Sequence, residues 1–493
     1  MNDRLVVEYL NSIASLIAIV ESFPFSTNQL LALHDFMKIE EETCEEFDSW
    51  YEQGYENFML LLSEKICSLE ESNEQNKYVI AYVLCVCLDN KITYLDYDSS
   101  DKVSLWTLLP ISKNKPIILK EPLNSNYRQT KIAIHPKYNV YNVWECSQVD
   151  DENPKKRSLA IKDAFSGMNG TLNHLSYTEY QDDGLSVIDV IIDCPDSFNE
   201  DCLTIAFSPM TDQDVVLEAN EELFFENFSF DAVRVDGVKH DQADNMLKRF
   251  DDAWCKASSL GADVIFFPEA MGLKQLENKQ FSYHKHIKQL SEMVVEKGNI
   301  PPKITFLPSF CENRENGVSI VYQDGQSLGK QYKHRPFVAK KEHEMESIIP
   351  LKNPTIIIIH IAEVHRIAMM ICSDFLTCST EMEQMLFADL GITLLLIPSF
   401  SKGEQDFISK LSDFKKYGTT VIWGNCCAAT IPQRIRGGCC IAALDKINRF
   451  NECDKCNNNC KNGCVFSIKI PLHFKRKPKE TILLDDFITH TLI

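Results

Sequence analysis

The stretch RIAMMICSDF, positions 366–375, decides how the second half of this chain is read. Residues 367–371 are apolar without a break, and after Cys372 come the polar Ser373 and Asp374. A short apolar run that stops abruptly reads as a strand covered on both faces, because a strand with one wet face alternates apolar and polar residues. A cysteine within such a run is ordinarily a small core residue. At the point where a rigid strand yields to a loop, a cysteine is also well placed to be a nucleophile.

Working outward, the same pattern recurs. LTIAFSPM (203–210), DVIFFPE (263–269), KITFLPSF (303–310), GVSIVYQDGQSLGKQYK (317–333), ITLLLIPSF (392–400) and TTVIWGNCCAA (419–429) read as strands, and 240–262 carries an apolar stripe at helical spacing. Strand, helix and strand again predict an α/β domain from Leu203 onward.

The first part of the chain differs. Leu5, Tyr9, Ile13, Leu16 and Val20 share a helical face, a second helix is expected after an N-cap among Ser26, Thr27 and Asn28, and a third from about Glu45. The run 77–98 reads as two β-rich stretches flanking Asp89-Asn90, a hairpin. The expected organisation is a helical then α+β domain over 1–147, a connecting segment over 148–202, an α/β domain over 203–475 and a tail over 476–493.

Composition bounds the function. The 493 residues, 44% hydrophobic and 25% charged, are ample for large cores. A net charge of −21 argues against nucleic acid or an anionic membrane as a direct partner. The apolar run at 10–23 is too short to span a bilayer and lacks the basic flank of a signal peptide. The 19 cysteines, an odd number, speak for thiol chemistry or metal binding in a reducing cytoplasm rather than for a disulfide framework.

Three strand-end groups suffice for acyl transfer. Glu269 ends its strand, Lys333 follows a strand pair and Cys372 ends 366–372. A carboxylate takes the thiol proton, the sulfur attacks a carbonyl or nitrile carbon, and an ammonium stabilises the oxyanion. The ammonium is also expected to lower the thiol pKa against the rise caused by burial.

At these residues the chain resembles the carbon–nitrogen hydrolase, or nitrilase, superfamily. GADVIFFPEAMG (261–272) is similar to its glutamate motif, DGQSLGKQYKHRPF (324–337) to its lysine motif and RIAMMICSDF to its cysteine motif, in the family's order. LTIAFSPM, LLLIPSFS (394–401), GTTVIWGNCC (418–427) and RGGCCIAALDK (436–446) resemble flanking strands, so the resemblance covers about 203–472. It implies an αββα sandwich that commonly pairs into a dimer. Glu269 is then the general base, Lys333 the oxyanion group, Cys372 the nucleophile and the Ser373 N–H a second oxyanion donor, with no cofactor needed for catalysis. A second family carboxylate falls at Glu342, Glu344 or Glu346, Glu344 being best placed relative to Pro350. The chain departs from the pattern at Ser373 and Leu376, where the family often has an aromatic or acidic residue and an arginine.

Three further motifs stand apart. CDKCNNNCKNGC (453–464) gathers Cys453, Cys456, Cys460 and Cys464 with hydrophilic filler, which fits a structural tetrahedral zinc better than an iron–sulfur cluster. YQDDG (180–184) carries paired aspartates of the kind that bind magnesium in polymerases, but no companion motif accompanies it; it reads as an acidic turn, as does LDDF (484–487).

The expected function is a cysteine-dependent hydrolase or acyltransferase acting on an amide, N-carbamoyl or nitrile small molecule. Its N-terminal domain would serve a homo-oligomer or a protein partner. The alternative is an inactive nitrilase-like scaffold in a bacterial defence complex.

Overall fold

The computed structural model describes residues 3–24, 27–91, 116–119, 132–136, 168–172, 175–179, 186–192, 202–210, 218–225, 228–234, 243–272, 282–312, 314–339, 344–349, 354–361, 365–401, 404–411, 419–426, 439–442, 447–449, 464–471 and 488–492. They fall into two compact units, one from 1–141, 149–193 and 380–391 and another from 142–148, 194–379 and 392–493.

The first unit is built on helices α1 (Asp3–Glu21), α2 (Thr27–Leu31), α3 (Phe36–Tyr51), α4 (Tyr55–Glu71) and α5 (Asn76–Lys91). Ile13, Leu16, Ile17, Phe47, Phe58, Leu62 and Leu84 meet in its core. The segment expected as one helix from Glu45 is two, parted at Gly54, whose φ of 89° lies where L-residues are strained. The hairpin expected at Asp89-Asn90 is instead the end of α5. Val79, Ala81, Val83, Leu84, Cys85 and Leu88 are all buried, so this helix is apolar nearly all round and shows no 3.6-residue stripe to the reader of the sequence. Asp89 is buried too, and its Oδ1 accepts the Leu175 N–H at 2.8 Å.

Strands β1 (Ile117–Leu119) and β4 (Ser186–Ile192) pair antiparallel, as do β2 (Ile132–Pro136) and β3 (Leu175–Glu179). Both β3 and β4 come from the stretch expected as a connecting segment. The unit also takes in a one-turn helix, Thr380–Glu383, and a π-helical turn, Gln384–Asp389, which no sequence signal announced.

In the second unit one sheet runs β15 (Thr355–Ile361), β16 (His365–Met369), β17 (Leu394–Ser399), β18 (Thr420–Asn425), β19 (Cys439–Ala442), β20 (Ile447–Arg449), with β16, β17 and β18 parallel. Another runs β10 (Phe310–Glu312), β11 (Glu315–Tyr322), β9 (Ile304–Phe306), β8 (Val264–Phe266), β5 (Cys202–Phe207), β21 (Cys464–Pro471), β22 (Ile488–Leu492). Its strands β5, β8 and β9 are parallel, and β12 (Ser327–Tyr332) pairs with β11. A smaller sheet orders β13 (Val338–Ala339), β14 (Glu344–Glu346), β7 (Phe228–Arg234), β6 (Glu218–Phe225). Every residue of β8, β9, β17 and β18 is buried, which is why these strands read as continuous apolar runs.

Helices α6 (Ala243–Ser259) and α7 (Tyr283–Glu296) set Phe250, Trp254, Ile287 and Leu290 into a core with Ala206, Ile265 and Val321. Trp254 Nε1 donates to Thr305 Oγ1 at 3.0 Å, fastening α6 to β9. Phe407, on the helix Glu404–Leu411, stacks on Trp423 of β18 and on Phe375.

The two larger sheets meet where Gly424 of β18 lies against the Phe207 ring of β5. A Cβ at 424 would stand 2.4 Å from Phe207 Cε2. The ring is itself packed on Phe266 at 4.7 Å between centroids, so it cannot swing away. Gly424→Ala is expected to cost about 1–3 kcal/mol by overpacking. A urea midpoint equal to that of the unchanged protein would show that the ring yields.

Among the described residues no helix is long and apolar enough to cross a membrane.

Candidate active site

The parallel strands deliver the polar groups. Glu269 lies three residues past β8, Cys372 three past β16, and Phe400 and Cys426 follow β17 and β18 directly. In α/β sheets with parallel strands, this carboxyl edge is where ligands bind.

The turns that present these groups are unusual. Cys372 has φ 47° and ψ −104°, Ala270 beside Glu269 has φ 65°, and Met210 beyond β5 has φ 66°. Non-glycine residues pay for such a conformation, and here the cost is met by fixed hydrogen bonds. The Cys372 N–H donates to Pro398 O at 3.0 Å and the Ala270 N–H to Ser309 Oγ at 3.0 Å.

The structure places Glu269, Lys333 and Cys372 near one another. Each is 3% exposed. Lys333 Nζ donates to Glu269 Oε1 at 2.6 Å, and the Cys372 thiol is close enough to the Glu269 carboxyl for the carboxylate charge to raise the thiol pKa.

Of the three glutamates named in the sequence, Glu346 contacts Lys333. Its Oε2 accepts Lys333 Nζ at 2.5 Å and the Phe337 N–H at 3.0 Å. The side chain of Glu344, the favoured choice in the sequence, lies outside the described residues. A further group was not expected at all. Asn316, in β11 and 1% exposed, donates from Nδ2 to Glu269 Oε1 at 3.0 Å and to Glu346 Oε1 at 3.2 Å. Lys333 and Asn316 thus bridge the same two carboxylates, and Glu269 Oε2 takes a last hydrogen bond from the Phe400 N–H at 3.2 Å.

This arrangement fixes the protonation logic. Burial raises Glu269 above the usual carboxylate range; Lys333 opposes the rise and Glu346 adds to it. Burial lowers Lys333, but Glu269 and Glu346 outweigh it and hold the ammonium well above its ordinary value. Burial also pushes the Cys372 thiol well up, the Glu269 charge adds to the rise, and Lys333 opposes both without prevailing. The lysine lowers the thiol pKa as expected, and burial together with Glu269 outweighs it. One ammonium faces two carboxylates, and a third negative charge is unwelcome there. The resting pair is a neutral thiol beside a carboxylate of raised basicity.

Residues after the lysine clasp residues after the cysteine. Asp374 Oδ1 accepts the N–H groups of His334 at 3.0 Å and Arg335 at 2.8 Å, and its Oδ2 accepts His334 N–H at 3.0 Å. Ser373 Oγ donates to Arg335 O at 2.8 Å, and Arg335 Nη1 to Thr377 O at 2.9 Å. Burial lifts Asp374 to about 7 in spite of the donors aimed at it.

Burial lowers His334 to about 4, helped by the Arg335 charge and opposed by a hydrogen bond to Thr355 O. Between the ordinary 6.5 and about 4 the unfolded chain binds the proton that the folded chain refuses, so this histidine makes stability fall as pH drops through that window. His334→Gln is expected to shrink the difference between urea midpoints at pH 7 and pH 5. An unchanged difference would contradict this role.

Of the cysteine cluster, Cys453, Cys456 and Cys460 lie outside the described residues, while Cys464 opens β21 and is buried. No group of three or more metal-binding side chains occurs among the described residues. The motifs at 180–184 and 484–487 also lie outside them.

No protein-family model matches the chain, and neither does any curated protein sequence. Among solved structures the chain is similar to an alanine-for-cysteine mutant of the amidase from Nesterenkonia sp. AN1 in complex with butyramide. The identity is 14% and the TM-score 0.35, over 55% of this chain and 91% of that one. An amidase from Nesterenkonia sp. matches at 13% identity and TM-score 0.33, over 56% and 93% of the two chains. A mutant Nesterenkonia AN1 amidase from the nitrilase superfamily matches at 15% and 0.34, over 55% and 90%.

Proposed function

We propose that the second unit is a carbon–nitrogen hydrolase domain of the nitrilase superfamily, in an αββα arrangement, using Cys372 as nucleophile, Glu269 as general base and Lys333 as the oxyanion group. The observation that carries this reading is a buried ammonium bonded at 2.6 Å to a buried carboxyl group, with a buried strand-end cysteine of positive φ beside them.

The chemistry follows from the pairing. As the Cys372 sulfur adds to the carbonyl carbon of a small amide, its proton passes to Glu269, whose raised basicity suits the transfer. Charge developing on the carbonyl oxygen is met by Lys333 and by the Ser373 N–H, the first amide of the turn after the nucleophile. The C–N bond breaks, the leaving nitrogen takes the proton from Glu269, and a thioester remains on Cys372. Water then attacks the thioester with Glu269 again as base, releasing the acid and restoring the thiol; an amine in place of water would give acyl transfer. A nitrile enters the same cycle by addition of the sulfur to its carbon. Glu346 and Asn316 keep Lys333 and Glu269 fixed throughout. The first unit would recruit a partner or shape access to the cleft.

The test is mass spectrometry after incubation with iodoacetamide and with panels of small amides and nitriles. An adduct on the Cys372 peptide, slowed in Glu269→Gln, is expected. A Cys372 that stays unmodified while exposed cysteines react would favour the binding-protein reading instead.

A further inference from the structure

Outside the proposed site, two other sulfurs meet in the first unit. Cys44 Sγ of α3 and Cys87 Sγ of α5 stand 3.7 Å apart, on residues 43 positions apart in the chain. Both are partly exposed, whereas Cys85, two residues earlier on α5, is fully buried. We propose that Cys44 and Cys87 are a modification site, a dithiol that a peroxide-class oxidant converts to a reversible disulfide stapling α3 to α5.

The geometry asks little. A disulfide needs sulfurs at about 2.05 Å, and two thiols already in van der Waals contact reach that by side-chain rotation with a small shift of the helices. Burial, then the neighbouring Cys44, pushes the Cys87 thiol up to about 12, and Lys91 one turn on opposes this without overcoming it. That ammonium is held by Asp48 Oδ1 at 3.1 Å and lies over the Tyr51 ring at 4.4 Å.

The route through Cys44 and the route through Cys87 give the same disulfide. With Cys44 oxidised first, its sulfur displaces water from hydrogen peroxide and becomes a sulfenic acid. The Cys87 sulfur attacks that sulfenic sulfur, its proton leaves with the displaced hydroxide as water, and the S–S bond forms. Two sulfurs lose one electron each, and one peroxide becomes two waters. A reversible bond of this kind is the form disulfides take in reducing compartments. The ring it closes contains α4, and cross-linking across a long loop restrains the unfolded chain most.

The test uses the full chain treated with hydrogen peroxide, alkylated and digested without reduction. The expected product is a Cys44–Cys87 cross-linked peptide lighter by two hydrogens than its reduced parts. Dithiothreitol should reverse it, it should be absent in Cys44→Ser and Cys87→Ser, and a higher melting temperature should accompany it. Cys44 carried to sulfinic acid while Cys87 remains alkylatable would overturn the proposal. That peptide map is read on the unchanged protein, so it decides even where a variant fails to fold.

Discussion

Lys333→Met is expected to destabilise the second unit by about 3–5 kcal/mol at neutral pH, the range seen when one partner of a buried ion pair is removed. Lys333 is bonded to Glu269 and Glu346, and all three side chains are at most 5% exposed. Without the ammonium, two carboxylates share a dry site with Asn316 as a neutral donor to both. Neither can then ionise cheaply, so both fold best protonated, and native-state proton affinity exceeds that of the unfolded chain. Stability of the variant should accordingly rise as pH falls from 8 toward 5, a trend absent or weaker in the unchanged protein. Adding Glu269→Gln and Glu346→Gln to the variant should restore much of the loss without restoring reactivity at Cys372. Urea denaturation at the two pH values checks this. A Lys333→Met protein as stable as the parent, with no new pH dependence, would mean that the ion triad is not buried as described.

What the sequence disclosed and what it hid follow from locality. Glu269 and Cys372 stood out because each follows a continuous apolar run that forms a buried strand, and Lys333 because it closes a strand-turn-strand around Asp324-Gly325; all three are local signals. Glu346 was not singled out from its neighbours. Glu344 and Glu346 have the same parity along β14, so alternation cannot separate them. The choice is made by where Lys333 and the Phe337 N–H stand across the fold.

Asn316 was hidden for another reason. Followed by Gly317 it looks like a turn signal, yet it lies in β11, paired with Cys311 of β10, while its side chain works between two residues distant in sequence. The α5 error has the opposite cause. A helix buried nearly all round loses its stripe, and Val, Ile, Tyr and Cys in succession then imitate strands. Finally, assignment of 380–391 to the first unit depends on contacts between distant parts of the chain, which no period along the sequence encodes.

Glu269→Gln carries the second large effect, and it separates catalysis from stability. The amide keeps an oxygen where Oε1 accepts Lys333 and Asn316, and Glu346 still balances the ammonium, so the fold should survive. Its nitrogen, placed at Oε2, points a donor at the Phe400 N–H, a local mismatch with the strand-end loop. What the variant cannot do is take a proton. Since the thiol rests well above its ordinary pKa, sulfur attack needs that transfer, and alkylation of Cys372 by iodoacetamide should slow by about 10²–10⁴-fold, the usual worth of a placed general base. In the unchanged protein the alkylation rate should fall on acidification as Glu269 becomes protonated, whereas the variant should lack that acid limb. Glu346→Gln supplies the comparison. Glu346 touches Lys333 but not the thiol, so the acid limb should persist there even if the rate drops. Equal rates and identical pH profiles in parent and Glu269→Gln would remove Glu269 from the chemistry and leave the buried ion triad as a structural device alone.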